Sequence, residues 1–196
     1  MPAAPLKIAV LISGSGRTLQ NLIDLQRERK LDIDIRLVIA SRPNLGGSEK
    51  AVTARLPHAI VNAKDFPSVE AFSERIFQLC DDAKAELVVL AGWLSLLRIP
   101  GKYRGRVINI HPSLLPNFGG KGMYGHRVHE AVLAAGCTES GCTVHVVDDS
   151  YDSGPILLQL KCPVLPGDTP DTLAARVFEE EKKALPEVIR RWTRHE

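Results

Sequence analysis

Excess charge of either sign is missing from this chain: 25 basic residues stand against 23 acidic ones, for a net charge of +2. Such a balance gives no footing for a polyanion such as DNA, although a small phosphorylated ligand needs only a local site. Long apolar runs are missing too. The longest, Leu87 to Leu94, falls far short of the roughly 20 residues that cross a bilayer, and Ile8 to Ile12 is too short for a secretory leader. Cysteine is scarce. Cys80, Cys137, Cys142 and Cys162 form no C-x-x-C pair and have irregular spacing, which argues against a disulfide framework or a zinc ligand set and for reduced thiols in a cytoplasmic protein. Internal repeats, low-complexity tracts and Pro/Ser-rich linkers are absent. With 196 residues, the expectation is one domain over residues 1–196.

What is present is an alternation of two periodicities. Leu6 to Ile12 reads as a buried strand that stops at Ser13-Gly14-Ser15-Gly16, and Thr18 to Arg29 carries Leu19, Leu22, Ile23 and Leu25 at helical spacing. Ile33 to Ala40 reads as a strand, Ser48 to Arg55 as a helix, Ala59 to Val61 as a short strand and Ser68 to Leu79 as a helix. Glu86 to Ala91 and Arg106 to Ile110 are further strands, and His129 to Ala135 is a helix ended by Gly136. Cys142 to Val147 and Ile156 to Lys161 are strands flanking a turn at Asp148 to Gly154. Thr169 to Trp192 closes the chain as a long helix, with a kink or break at Pro186. This order predicts an α/β fold of Rossmann-like type, with a mostly parallel central sheet and helices on both faces. Ligands of such sheets sit beyond the carboxyl ends of the strands, where Ser13 to Thr18, Gly92 to Leu97 and Asn109 to Pro116 all fall.

Gly14-Ser15-Gly16-Arg17-Thr18-Leu19 follows the first strand and opens a helix, where free backbone N–H groups and the helix dipole favour an anion. A dinucleotide site does not fit. Leu19 stands at the third glycine of G-x-G-x-x-G, and Ala40-Ser41-Arg42 lacks the acidic residue expected after the second strand. A phosphate site and a tight turn without ligand both remain open on these residues alone.

Asn109-Ile110-His111-Pro112-Ser113-Leu114-Leu115-Pro116 is the most informative segment. Strand alternation sends Asn109 and His111 to the same side, and Pro112 and Pro116 restrict the loop beyond them. A carboxamide and an imidazole together suit acyl transfer: the amide N–H steadies a developing oxyanion, and the imidazole moves a proton. A carboxylate would orient and charge-stabilise that imidazole. The turn Asp148-Asp149-Ser150-Tyr151-Asp152-Ser153-Gly154 is a candidate source, or an ordinary solvated hairpin turn; spacing does not say which Asp, if any, reaches His111.

Ile12 to Gly16, Leu90-Ala91-Gly92-Trp93, Asn109 to Pro116 and Tyr151-Asp152-Ser153-Gly154-Pro155 together resemble the phosphoribosylglycinamide formyltransferase family, from about Leu6 to Trp192. The resemblance implies transfer of a formyl group from 10-formyltetrahydrofolate, as co-substrate, to the amine of glycinamide ribonucleotide in purine synthesis, directly through a tetrahedral intermediate and without a metal. It implies that Asn109 holds the formyl oxygen, that His111 is the general acid/base, and that Asp152 raises the pKa of His111. Gly16, Arg17 and Thr18 would bind the nucleotide phosphate region and Glu181 the nucleotide, placing that site in the N-terminal part. Leu94, Ser95, Leu96, Leu97 and Asn109 would bind the folate, toward the C-terminal part.

This chain departs from the family pattern in places. Ser95 and Val69 stand where Arg is often found, which puts the polar contacts to folate in doubt. Residues 118–126 form a longer, Gly-rich loop, read as a flap near the site or as a surface excursion. His129 and His145 match family histidines, and His145 is read as structural. The implied partners are small molecules, with no nucleic acid or membrane, in a monomer or homodimer. The alternatives are another folate-dependent formyltransferase and formyltetrahydrofolate deformylase, whose usual second domains do not fit this length.

Overall fold

The computed structural model describes residues 4–193. Its elements run β1 (Leu6–Ile12), α1 (Arg17–Arg27), β2 (Ile33–Ala40), α2 (Gly46–Thr53), β3 (His58–Ile60), α3 (Val69–Asp82), β4 (Leu87–Leu90), β5 (Val107–His111), α4 (His126–Ala134), β6 (Glu139–Val146), β7 (Ile156–Pro163) and α5 (Pro170–Thr193). One seven-stranded sheet takes them in the order β3-β2-β1-β4-β5-β6-β7. The first five strands are parallel, and β6 and β7 are antiparallel additions at one edge. The expected mostly parallel α/β sheet is therefore present. The order in which strands are added reverses between β1 and β4, and the crevice at such a switch point is where open α/β sheets hold ligands.

Strand alternation divides the core in two. Ile8, Val10 and Ile12 of β1 pack with Leu19, Leu22, Leu173, Val177, Leu185 and Ile189 under α1 and α5. Ala9 and Leu11 pack on the other face with Phe72, Ile76 and Phe77 of α3 and with Trp93 and Tyr103 of the loops. Each fully buried Leu or Ile of these layers contributes about 1.5–3 kcal/mol, so both faces anchor the strands whose ends carry the site.

Several boundaries differ from the sequence reading, and two of the differences follow from pairing and packing. β6 begins at Glu139, because Glu139, Ser140 and Gly141 pair with Pro163, Cys162 and Lys161. Gly141 belongs to that strand because a Cβ there would lie 2.1 Å from the Leu160 carbonyl oxygen. Likewise α2 begins at Gly46, with Gly47 packed against Gly16 of the turn after β1.

Of the kink or break expected at Pro186, the break does not occur, and α5 runs through it. Pro186 has no N–H for the carbonyl four residues back, that of Lys182. Asn21 Nδ2 of α1 donates to that carbonyl instead, at 3.3 Å. Leu185, Val188 and Ile189 are buried around the proline, so packing holds the helix where its own ladder is interrupted.

Candidate active site

The turn after β1 is built from backbone. Gly16 caps α1 in the left-handed region (φ 72°), and its Cβ, if present, would lie 2.5 Å from Gly47 Cα. Glycine is therefore required at 16 by the protein's own packing as well as by the turn. Gly14, by contrast, has open space on its Cβ side. The first bond of the α1 ladder runs from Gln20 N–H to the Gly16 carbonyl (2.9 Å). The N–H groups of Arg17, Thr18 and Leu19 precede it and have no partner in the helix. Ser13 ties this turn to the loop after β4. Its N–H donates to the Gly92 carbonyl at 3.0 Å, and its hydroxyl accepts the Leu94 N–H at 3.2 Å.

The polar cluster is built from side chains. Ile108 and Ile110 enter the α5-side core, which turns Asn109 and His111 to the opposite face of β5. In β6, His145 sits directly across from Asn109. The turn between β6 and β7 brings Asp152 beneath all three: its Oδ2 is 3.5 Å from His111 Nδ1, and its Oδ1 is 3.5 Å from His145 Nε2 and 3.4 Å from Asn109 Nδ2. The other aspartates of the turn look elsewhere. Asp149 Oδ1 accepts the Ile99 N–H, and Asp148 accepts from Ser150 N–H and the Ser153 hydroxyl. The Asn-to-Pro segment is pinned from the neighbouring strands: Thr143 Oγ1 donates to the Ser113 carbonyl (2.6 Å) and accepts from Leu115 N–H, while Gln159 Nε2 donates to the Leu115 carbonyl.

The Gly-rich loop closes on this cluster through backbone groups. The Phe118 carbonyl accepts from His111 Nε2 at 2.9 Å, and Gly120 N–H donates to Asp152 Oδ2 at 2.9 Å. Residue types gave no signal for these two partners, since any residue offers the same carbonyl and N–H. Because Nε2–H is given to Phe118, the position left on a neutral His111 ring for a second proton is Nδ1, which faces Asp152.

Hydrogen bonds also orient the His145 ring. Its Nδ1 donates to the Val146 carbonyl (2.9 Å), and in the tautomer with the proton on Nδ1 its Nε2 accepts from Asn109 Nδ2 at 3.0 Å. The sequence placed His145 as a structural residue. It is buried, and what it holds is the carboxamide of Asn109.

Charge follows environment. Burial of His111 pushes its pKa below 6.5; the Asp152 charge and the Phe118 carbonyl pull upward and His145 pulls downward, so the outcome is lowered. Asp152 acts on His111 in the expected upward direction, but desolvation outweighs it and sets the net shift. For Asp152 itself, burial pushes the carboxyl upward, but His145, the His111 charge and Gly120 N–H prevail and leave it below 3.8. His129, 4% exposed, is held down at about 4 by burial first and by His126 and His111 second. Glu181 is pushed up to about 7 by burial, against the charge of Arg17.

These groups line a cleft of about 620 Å³. Its walls are residues 14–18, 91–94, 109–112 and 120–127, Tyr151 and Asp152, and on α5 Ala174, Phe178 and Glu181. All four residues expected at the nucleotide, Gly16, Arg17, Thr18 and Glu181, border it, as does Leu94. Ser95, Leu96 and Leu97 instead border a second cavity of about 40 Å³, with Trp93, Asn109, His145 and Asp152. That volume holds water but not a bicyclic ring, so the residues expected at the folate surround a space too small for it in this conformation. Asn109, Asp152, Trp93 and Tyr151 line both cavities. Trp93 stacks on Phe72 (6.0 Å, 6°), and its buried indole N–H has no partner among the described residues. Among the described residues, no group of three or more His, Cys, Asp or Glu side chains is arranged to hold a metal ion.

An open α/β sheet with a carboxamide, an imidazole and a carboxylate at its switch-point cleft suits group transfer, and comparison with known proteins gives the class. A family model described as Formyl transferase matches residues 6–189, and the chain belongs to that family. Two curated relatives and two solved structures stand nearer. The Trifunctional purine biosynthetic protein adenosine-3 of Drosophila pseudoobscura pseudoobscura is 42% identical over 187 residues, which is 93% of this chain and 13% of that protein. The chloroplastic phosphoribosylglycinamide formyltransferase of Vigna unguiculata is 38% identical over 93% of this chain and 59% of its own length. This chain thus spans less than two thirds of either relative. Glycinamide ribonucleotide transformylase 1 from Symbiobacterium toebii superposes with a TM-score of 0.91 at 36% identity, covering 98% of this chain and 90% of that one. For the phosphoribosylglycinamide formyltransferase from Coxiella burnetii the values are 0.88, 40%, 97% and 88%.

Proposed function

We propose that this chain transfers the formyl group of 10-formyltetrahydrofolate to the amine of glycinamide ribonucleotide. The observation that carries the reading is the meeting of Asn109, His111 and Asp152 at one cleft with the glycine turn, with Asn109 and Asp152 also bordering the cavity of Ser95 to Leu97. The names of the Vigna, Symbiobacterium and Coxiella relatives support it.

In this reading the substrate phosphate takes the free N–H groups at the start of α1, aided by Arg17 and Thr18, and Glu181 contacts the sugar end of the nucleotide. The substrate amine attacks the formyl carbon, and a C–N bond forms as the carbonyl oxygen becomes an oxyanion. The bond from that carbon to the folate nitrogen then breaks, and the proton lost by the amine passes to the departing nitrogen. Burial keeps His111 neutral, and hence a base, before attack. The adjacent Asp152 carboxylate stabilises the imidazolium once Nδ1 has taken the proton. Asn109 gives one N–H to His145 at 3.0 Å; its second, 3.4 Å from Asp152, is a long contact that an oxyanion can replace. Folate entry requires the small cavity to widen, with Trp93 offering its indole N–H there. The residues given roles here all belong to one chain, which is a monomer or a homodimer in this reading. Four free cysteines, three of them buried, support a reducing compartment such as the cytoplasm.

The test is to incubate the purified protein with 10-formyltetrahydrofolate, with and without glycinamide ribonucleotide, and to identify products by mass. Formylated nucleotide formed only with both substrates is the expected result. Folate consumption with water alone would make the chain a deformylase, and transfer to a different amine only would make it another formyltransferase.

A further inference from the structure

Arg17 and Phe178 are brought together by features scattered over the chain. The Arg17 guanidinium carbon lies 3.8 Å from the centroid of the Phe178 ring, at the distance of a cation–π contact. Both residues line the large cleft, and no hydrogen bond or ion pair to Arg17 is present among the described residues. Glu181, which feels the Arg17 charge, forms no ion pair with it. One turn along each helix, Asn21 of α1 donates to the Lys182 carbonyl of α5, the carbonyl that Pro186 leaves without its helical donor. Residues 17 and 21 share one face of α1, and residues 178 and 182 one face of α5, so the two contacts are successive rungs between the same helices. The lower rung sets the register that brings the Phe178 ring to Arg17. On the same cleft, the buried His129 carries a further polar atom without a partner, its Nδ1.

We propose that Phe178 is a positioning residue that holds the Arg17 guanidinium over the cleft to receive the phosphate monoester of the substrate, with Asn21 and the carbonyl freed by Pro186 fixing the helix register that makes this possible. The proposal rests on the nucleotide reading above and goes beyond it. An arginine at the first turn of a helix is ordinarily a mobile chain in solvent, and ordering it costs side-chain entropy on binding. The aromatic face holds the guanidinium plane beforehand while leaving its N–H edge free for phosphate oxygens, the geometry at which arginine excels.

Direct binding separates this proposal from the catalytic reading. Titrate glycinamide ribonucleotide, and separately ribose 5-phosphate, into the wild-type protein and its variants by calorimetry, without folate. Phe178→Leu keeps an apolar side chain but removes the aromatic face; it should raise both dissociation constants about three- to tenfold. Phe178→Tyr should restore them, and Asn21→Ala should weaken binding by a smaller factor. Arg17→Ala with Phe178→Leu should bind no worse than Arg17→Ala alone, because the ring acts through the arginine. In turnover, Phe178→Leu should raise KM for the nucleotide with kcat held within about twofold. Unchanged dissociation constants in Phe178→Leu, or additive losses in the double variant, would overturn the proposal. A wild type that binds the nucleotide but transfers no formyl group would overturn the catalytic reading and leave this one standing.

Discussion

The turn after β1 and the turn before β7 both border the cleft, yet they are built from opposite materials. The first is backbone: Gly16 in a left-handed conformation, Gly14 with open space beside it, and helix N–H groups, all within a few consecutive residues. The second acts through a single side chain, Asp152, which meets partners 41 and 43 residues earlier in the chain and is fixed by the antiparallel pairing of β5, β6 and β7. Crowding should therefore damage the first turn and loss of charge or hydrogen bonding the second, with different signatures in binding and turnover.

The largest effects belong to the side-chain cluster. His111→Ala should lower kcat by about 100-fold or more while nucleotide affinity stays within about twofold, measured by steady-state kinetics and calorimetry. Asn109→Ala should cost about 2.7–4 kcal/mol in kcat if its N–H meets the oxyanion; a loss confined to KM would contradict that role.

The backbone turn should respond differently. Gly16→Ala forces a Cβ to within 2.5 Å of Gly47 at φ 72° and should cost about 2–4 kcal/mol of stability in urea unfolding. Gly14→Ala meets no atom within 4 Å, so it should leave stability within about 0.5 kcal/mol while weakening nucleotide binding. Equal destabilisation by the two would erase the distinction between them.

Proton linkage offers a third comparison across the cleft. His129, held at about 4 against an ordinary 6.5, takes up a proton more readily when unfolded, so its burial lowers stability as pH falls from about 6.5 toward 4, by roughly 3 kcal/mol at the limit. His111, also lowered, adds in the same sense. Glu181 works in the opposite direction. At about 7 against 4.5, its folded-state proton stabilises the protein at low pH, and that contribution is lost as pH rises through about 7. Between about pH 4.5 and 6.5 the two oppose each other. Glu181→Gln should unmask the histidine slope, so its Tm should fall more steeply than that of the wild type on acidification; parallel curves would contradict the assignment. A modest effect is expected at the join between regions: Ser13→Ala removes the acceptor for Leu94 N–H and should cost about 1 kcal/mol of stability.

The same division explains what was legible in the sequence. β2 runs over the expected residues, Ile33 to Ala40, because its apolar run has turn residues at its end. The glycine turn was legible because its parts are contiguous. The side shared by Asn109 and His111 followed from strand alternation. Which aspartate joins them did not, because register across three strands decides it, and Asp148 and Asp149 have the same chemistry as Asp152. The long helix containing Pro186 was legible, but what keeps it unbroken was not, because the compensating donor, Asn21, lies 161 residues away from the carbonyl it satisfies. Phe118 and Gly120 were invisible as partners because they act through main-chain atoms.

The most direct measurement compares formyl transfer by Asp152→Asn and Asp148→Asn, two isosteric losses of charge four residues apart in the same turn. The account predicts a loss of about 100-fold or more in kcat for Asp152→Asn with nucleotide affinity intact, and turnover within about twofold of wild type for Asp148→Asn, whose side chain caps the turn. Wild-type turnover in Asp152→Asn would contradict it.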